Sequence, residues 1–410
     1  MENNKPKILM LLEHSFPPDI RVEKEAKSLL EAGFELSLVC AKAEENQIVS
    51  WNGMKIYRVS LKKDIFSKLR RLIFTVQFDF FHYLKDFLNI NTYDVIHVHD
   101  LKLVPTALKI KEIYPNIKVV ADFHENYPAG VREWMKLDQG IKGKVNRTFN
   151  NYKRWSNIES DAVKRVDHII AVVDEMKSRM LKQHPSLNKN KITVVSNLED
   201  KDFVQEGKID DDIVKKYDKF FTVLYIGGFG VHRGIDTAIK GMKDIDIENI
   251  KLLLVGKGGI EVEDYFKKLV KDNNLESKVE IVGWQPFDKV LTYQKLADVC
   301  IVPHNSNEHT DNTIPHKLFQ YMMVGKPILV SSCPPLARVV QEANAGLIFK
   351  AEDPKDFSLK LMTMYSDVKS MAAFGLKGIE YTFEKNNNWQ AEAEKLIQLY
   401  DNLLNKKDNQ

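Results

Sequence analysis

The sequence predicts two α/β domains of the doubly wound type, and three observations carry that expectation. The chain has 410 residues, room for two cores of ordinary size. Short apolar runs alternate with amphipathic helical patterns through both halves. The turns that follow those runs carry glycine, histidine or charge, and parallel sheets bind ligands at the carboxyl ends of their strands. Hydrophobic residues make up 44% and charged residues 29%, which places the chain among globular proteins. A net charge of +3 argues against nucleic acid as a partner held by bulk charge, so any basic site is local.

In order, residues 7–12 (KILMLL) read as a buried strand, and the apolar run Ile8–Leu12 is too short for the core of a signal peptide. The polar loop EHSFPPDIR leads into a helix over 20–32, with Val22, Ala26, Leu29 and Leu30 on one face and Gly33 as its stop. Phe34 to Cys40 is the next strand. The loop at 13–21 is then expected to face a ligand cleft. Arg21, a cation at a helix start, is unfavourable for the helix dipole and reads either as a ligand contact or as a solvated side chain.

After a strand near 55–59, residues 61–90 read as one long amphipathic helix. It is basic first (Lys62, Lys63, Lys68, Arg70, Arg71) and aromatic later (Phe74, Phe78, Phe80, Phe81, Tyr83). That pattern suits an anionic membrane surface or a core helix with a solvated basic end. No run approaches the ~18 apolar residues of a membrane span, so contact with a membrane rather than a crossing is expected. Residues 94–98 form a strand ending at His99-Asp100. His97 and His99 share a face, but the pair lacks the further ligands of a metal site, and no metal is expected. A helix at 102–113 precedes a strand at 118–122, which delivers Phe123-His124-Glu125-Asn126 to a strand end. A histidine there exchanges protons near neutrality or is structural. Residues 131–155, with seven Lys or Arg and two acids between Trp134 and Trp155, are expected beside the cleft or a membrane.

The acidic stretch from Asn197 to Lys219 reads as the crossing between domains, which are set at 1–200 and 201–385, with a C-terminal helix over 386–410 packing back on the first. The second half repeats the pattern. Strand Phe221–Ile226 runs into a glycine-rich turn, Gly227 to Gly234. There Arg233 precedes a helix at a place where a cation has no structural reason to be. Further strands end at Gly256-Lys257-Gly258, Gly283-Trp284 and Pro303-His304, marking one binding edge. Residues 309–332 read as a polar loop, a helix with Pro315 in its first turn, a stop at Gly325 and a strand from Ile328. Lys317, Gln320 and Tyr321 share one face of that helix, whose N-terminus with a lysine one turn in reads either as an anion site or as an ordinary surface helix. The three cysteines, Cys40, Cys300 and Cys333, are far apart and expected to be buried thiols of a reducing, cytoplasmic compartment.

The segments PPDIRVEKEAKSLLEAGFELSLV, YDVIHVHDLK, VDHIIAVVDEM, YIGGFGVHRGIDTAI, VEIVGWQPFDKVLTYQKLADVCIVPHN and NTIPHKLFQYMMVGKPILVSS, in this order, resemble the retaining family-4 glycosyltransferases. The resemblance covers essentially the whole chain. It implies the GT-B fold, two Rossmann-like domains facing across a cleft, without a metal or other cofactor. It implies a nucleoside diphosphate-sugar donor on the second domain and a glycan or lipid-linked acceptor on the first. Breaking a sugar–diphosphate bond leaves charge on phosphate, and preorganised cations must meet it. By resemblance Arg233 and Lys317 are that catalytic pair, with His124 near the reacting sugar. Thr313 and Ile314 offer backbone N–H groups to the donor, and Trp284 lies over the base or simply packs. Arg21, His99, Asp100 and Glu125 line the acceptor side.

Two departures stand out. The family's E-x7-E acids fall at Asn312 and Gln320, so both carboxylates are amides, which still hydrogen-bond hydroxyls but carry no charge. Asp311 or Glu308 could substitute. Gly228 stands where the family usually has an arginine. The expected function is a retaining transfer of a sugar to a hydroxyl in cell-surface polysaccharide or glycoconjugate synthesis, by a cytoplasmic protein able to sit on an inner membrane face. A non-catalytic sugar-nucleotide or glycan-binding subunit and a sugar-nucleotide epimerase are the alternatives.

Overall fold

The structure is a computed structural model that describes residues 5–42, 46–62, 64–136, 140–204 and 208–405. The chain divides into two compact units. The first comprises Met1–Arg132, Asp138–Ser196 and Glu392–Gln410, and the second Glu133–Leu137 and Asn197–Ala391.

The first unit is built on a sheet of β1 (Lys7–Leu12), β2 (Glu35–Lys42), β3 (Gln47–Trp51), β4 (Met54–Ser60), β5 (Val95–His99), β6 (Lys118–Phe123), β7 (His168–Ala171) and β8 (Ile192–Val194). Their order is β3-β4-β2-β1-β5-β6-β7-β8, and every pairing is parallel except β3 with β4. Strand β1 is apolar throughout because helices cover both faces of a central parallel strand, and Ile8 to Leu12 are all buried. Strand β3 was not expected. Its signal is Asn52-Gly53, which closes the β3–β4 hairpin with φ of +47° and +84°, the positive values that such a two-residue turn requires. Asp19 caps the helix Ile20–Glu31 by accepting from the Val22 N–H at 3.1 Å, while Glu23 accepts from the Asp19 N–H at 2.9 Å.

Residues 61–90 do not form one helix. Two helices, Ile65–Ile73 and Phe78–Leu88, are separated by an extended Phe74. The break is fixed from outside: Arg154 donates to the terminal carbonyls of Leu72 and Ile73 (2.8 Å to the latter), the groups a helix end leaves unpaired. Lys63 lies outside the described residues.

The second unit carries β9 (Phe221–Ile226), β10 (Ile250–Val255), β11 (Val279–Gly283), β12 (Val299–Val302), β13 (Ile328–Ser331) and β14 (Gly346–Phe349), all parallel, in the order β11-β10-β9-β12-β13-β14. The chain winds outward from β9 and returns at β12, so the switch point lies between these two strands. Their carboxyl ends open onto the glycine-rich turn and Pro303-His304. One core cluster joins these strands through Val223, Tyr225, Leu252, Leu254 and Leu329 to Phe266, Phe349 and Phe357. Pro315 precedes rather than opens its helix, which runs from Lys317 to Met323. Gly325, at φ +71°, ends it. The three cysteines are buried and form no disulfide. No helix among the described residues is long and apolar enough to cross a membrane.

Candidate active site

The switch point of the second unit collects two cations. Gly227 follows β9 at φ +134°, and a Cβ there would stand 2.6 Å from Lys317 Nζ, so glycine lets the ammonium reach the strand end. That ammonium lies 3.8 Å from the centre of the Tyr225 ring. Arg233 ends the short turn Val231–Arg233. Gly234 follows at φ +64°, where a Cβ would run into the Pro303 carbonyl at 1.8 Å. Neither cation has a carboxylate partner among the described residues. Burial, then the proximity of Arg233, holds the Lys317 pKa well below the ordinary lysine value.

Two of the imidazoles around this pair, His232 and His304, are neutral. His304 Nε2 lies 3.3 Å from Arg233 Nη1. Burial and then Arg233 keep His304 well below the usual histidine value and bring His232 down to about 2. His309 is buried with its ring edge-to-face against His232 at 5.2 Å and Trp134 at 5.7 Å. His232 Nε2 and His304 Nδ1 are buried with no hydrogen-bond partner among the described residues. Gly228 leaves open space where a side chain would stand. A cationic spot with no carboxylate partner among the described residues can take an anion from outside.

The remaining donor-side residues are placed less uniformly. Trp284 is 59% exposed after β11, with the Lys257 ammonium 5.5 Å over its ring. Asn312 closes the turn Thr310–Asn312, and its amide nitrogen donates to the Glu308 carbonyl at 2.8 Å. Thr313 is extended, and the Ile314 side chain is buried. Asp311 is engaged by its own loop, accepting from Ser306 Oγ at 2.9 and 3.0 Å, and Glu308 is exposed. Gln320 departs from the expectation of an amide free to meet a ligand. It is buried, it donates to Glu199 Oε2 at 2.8 Å, and it accepts from Gln294 Nε2 at 3.0 Å.

In the first unit, His124 Nε2 is 2.8 Å from Asp122 Oδ2, and Nδ1 is 3.5 Å from Asp100 Oδ2. Burial opposes a charge on the ring, but Asp100 and then Asp122 outweigh it and raise the pKa to about 10. His124 is therefore an imidazolium at neutral pH rather than a proton shuttle poised near 7. Asp100 has φ +61°, which turns its carboxylate back to accept from the His124 N–H at 3.1 Å. Glu125 is half-buried beside them.

Two expectations fail here. Arg21 neither lines an acceptor site nor lies in solvent: it is buried, donates to both oxygens of Asp122 at 2.8 and 2.9 Å, and lies 3.0 Å from Glu25. His99 is buried too, with Nδ1 3.3 Å from His124 Nε2. Its pKa falls to about 3, by burial and then by His97. The fold also supplies Glu25 and Asp122 to the His97–His99 pair, with ligand-capable atoms within 4.8 Å of one another. Positive charge reaches this group from the Arg21 guanidinium and the His124 ring, both on Asp122. His97 in turn pairs with the Tyr400 hydroxyl.

Sequence reasoning passed over Tyr225, Gly227, His304, Gln294 and Glu199 as site residues. His304 was visible as a polar residue at a strand end. Glu199 and Gln294 had no local signal, because the fold alone brings them to Gln320.

Comparison with known proteins bears on the family and the fold. Residues 20–202 match the family described as Glycosyltransferase Family 4, and residues 208–381 match Glycosyl transferases group 1. An uncharacterised glycosyltransferase of Methanocaldococcus jannaschii is 24% identical over 56% of this chain; the matched region spans 64% of that protein's length. Sucrose-phosphate synthase from Thermosynechococcus elongatus superposes with a TM-score of 0.78 at 17% identity, covering 98% of this chain and all of that one. An Anabaena protein solved in complex with UDP-glucose superposes with a TM-score of 0.72 at 11% identity, over 96% of this chain and 99% of that one. The chain belongs to the GT-B glycosyltransferases of the family 4 and group 1 type, with a family 4 domain preceding a group 1 domain.

Proposed function

We propose that the protein is a retaining, metal-independent glycosyltransferase. It moves a sugar from a nucleoside diphosphate donor to a hydroxyl of a glycan or lipid-linked acceptor in cell-surface polysaccharide or glycoconjugate synthesis. The observation that carries the reading is the Arg233–Lys317 pair, two basic side chains without a carboxylate partner among the described residues, beside the neutral imidazoles of His232 and His304. As the bond between the anomeric carbon and the phosphate oxygen breaks, its electron pair goes to the diphosphate. Arg233 and Lys317 stabilise that charge in a poorly solvated place. His124, held as a cation by Asp100 and Asp122, orients the donor sugar. Trp284 presents an exposed ring for the base.

The donor is tested by thermal denaturation over a panel of nucleoside diphosphates and their sugars, followed by product analysis with a glycan acceptor. A raised melting temperature and transfer with retained anomeric configuration support the reading. No shift with any compound defeats it. A non-catalytic nucleotide-sugar binder remains the second reading because both acids of the family motif are amides; it predicts a shift without turnover.

The helix Ile65–Ile73 supports contact with an anionic inner membrane face. Ile65, Phe66, Leu69 and Ile73 are exposed on it, alongside Lys68, Arg70 and Arg71. Flotation with anionic liposomes is the check, and equal recovery with neutral liposomes defeats it.

A further inference from the structure

The family's acids at 312 and 320 are amides here, and the structure contains a physical reason for the second. Glu199, buried at 4% exposure, accepts from Gln320 Nε2 at 2.8 Å through Oε2, which also lies 2.8 Å from His316 Nε2. Its other oxygen accepts from the Asp200 N–H at 2.7 Å. A carboxylate only accepts, so the amide nitrogen of Gln320 has to face it, which fixes the amide's orientation chemically. The Gln320 nitrogen is also 3.4 Å from His316 Nδ1. That contact fits a ring carrying its proton on Nε2, toward Glu199.

The remaining polar capacity at position 320 is the carbonyl oxygen, which accepts from Gln294 Nε2 and keeps a second lone pair. Gln294 Oε1 is itself buried without a hydrogen-bond partner among the described residues. Asn312 repeats the arrangement. Its nitrogen is anchored on the Glu308 carbonyl, and its oxygen receives no hydrogen bond from the described residues. Both amides are thus turned to behave as a carboxylate behaves toward a sugar hydroxyl, as acceptors, without the charge.

We propose that Glu199 is the positioning acid of the donor site: it locks Gln320 and His316 in place, and it makes a glutamate at position 320 untenable. This rests on the reading of residues 309–320 as the donor loop. A glutamate at 320 would bring two buried carboxylates to hydrogen-bond distance, where both cannot ionise. The acid lost from the motif is present 121 positions earlier in the sequence, across a hydrogen bond.

The test uses four full-length proteins: the natural chain, Gln320→Glu, Glu199→Gln and the double exchange. Each is melted at low and at mildly alkaline pH and titrated with UDP-glucose. Gln320→Glu is expected to melt about 5 °C or more below the natural chain at alkaline pH. That deficit shrinks on acidification, because a raised carboxyl pKa penalises folding above it. The double exchange, with amide and carboxylate swapped, recovers most of the loss. Glu199→Gln alone weakens UDP-glucose binding about tenfold, and the double exchange restores it to within about threefold.

A Gln320→Glu protein that melts with the natural chain at both pH values, or a double exchange no better than Gln320→Glu, overturns the proposal. Rescue of melting combined with UDP-glucose binding unaffected by Glu199→Gln, Arg233→Ala and Lys317→Ala overturns the donor-loop reading. In that case Glu199 and Gln320 remain only a structural pair.

Discussion

Lys317 Nζ sits 3.8 Å from the centre of the Tyr225 ring and 2.6 Å from where a Cβ on Gly227 would be, with no carboxylate against it among the described residues. An aromatic face and a glycine replace the counter-ion that a buried lysine ordinarily needs. Charging this amine in the free protein therefore carries a cost that a bound diphosphate removes.

Binding of UDP should accordingly take up a proton. Burial lowers the Lys317 pKa in the free protein, and an adjacent anion raises it. Affinity then falls as pH rises through the free lysine's pKa. Titration calorimetry at about pH 8, where the ligand's own phosphate is fully ionised, in buffers of different ionisation enthalpy reads this uptake directly. Lys317→Arg should bind UDP with no uptake, because a guanidinium stays charged.

Arg233→Ala and Lys317→Ala should each weaken UDP binding about tenfold to a hundredfold while leaving the melting temperature of the free protein unchanged or raised. Removing one of two unneutralised cations relieves repulsion in the free state. A melting temperature that falls by several degrees would mean that the cation is structural.

Gly227→Ala tests the glycine rather than the lysine. The added Cβ meets Nζ and is strained at φ +134°. UDP affinity should drop about tenfold, with a stability loss of about 1–3 kcal/mol. Gly228→Ala, with open space and no positive φ, should change neither by much.

His124→Gln should reveal a pH-dependent stability term. The folded pKa of His124, about 10, lies above the unfolded value of 6.5. Its stabilising charge is fully present below the unfolded pKa and is lost as pH rises through the folded one. Melting temperatures of the two proteins should differ by about 5 °C at acidic to neutral pH and converge as pH approaches 10. A constant gap would show that the histidine is neutral in the folded protein.

Asp122→Asn leaves the Arg21 guanidinium without its bidentate partner in the core of the first unit. Breaking a buried pair of this kind costs about 3–5 kcal/mol. A fall in melting temperature of about 6 °C or more is expected.

The alternation of apolar runs and helical patterns by itself determined both α/β units. A strand such as Lys7–Leu12 and a helix such as Ile20–Glu31 are specified by which neighbouring residues are apolar, a property local to the chain. Arg233 and Lys317 were legible for the same reason: each lies where local rules disfavour or do not require a cation. What the tertiary structure alone decided involves partners far apart in sequence. Arg21 lies at a helix start like a ligand contact, yet Asp122, 101 positions away, takes its charge into the core. The helix Ile65–Ile73 ends where Arg154 reaches its carbonyls, although the periodicity runs on. Gln320 reads in sequence as an amide that hydrogen-bonds hydroxyls without charge, and the fold sets Glu199 across a hydrogen bond from it. A charge or an amide takes its role from its electrostatic partner, and in a protein this size the fold chooses that partner.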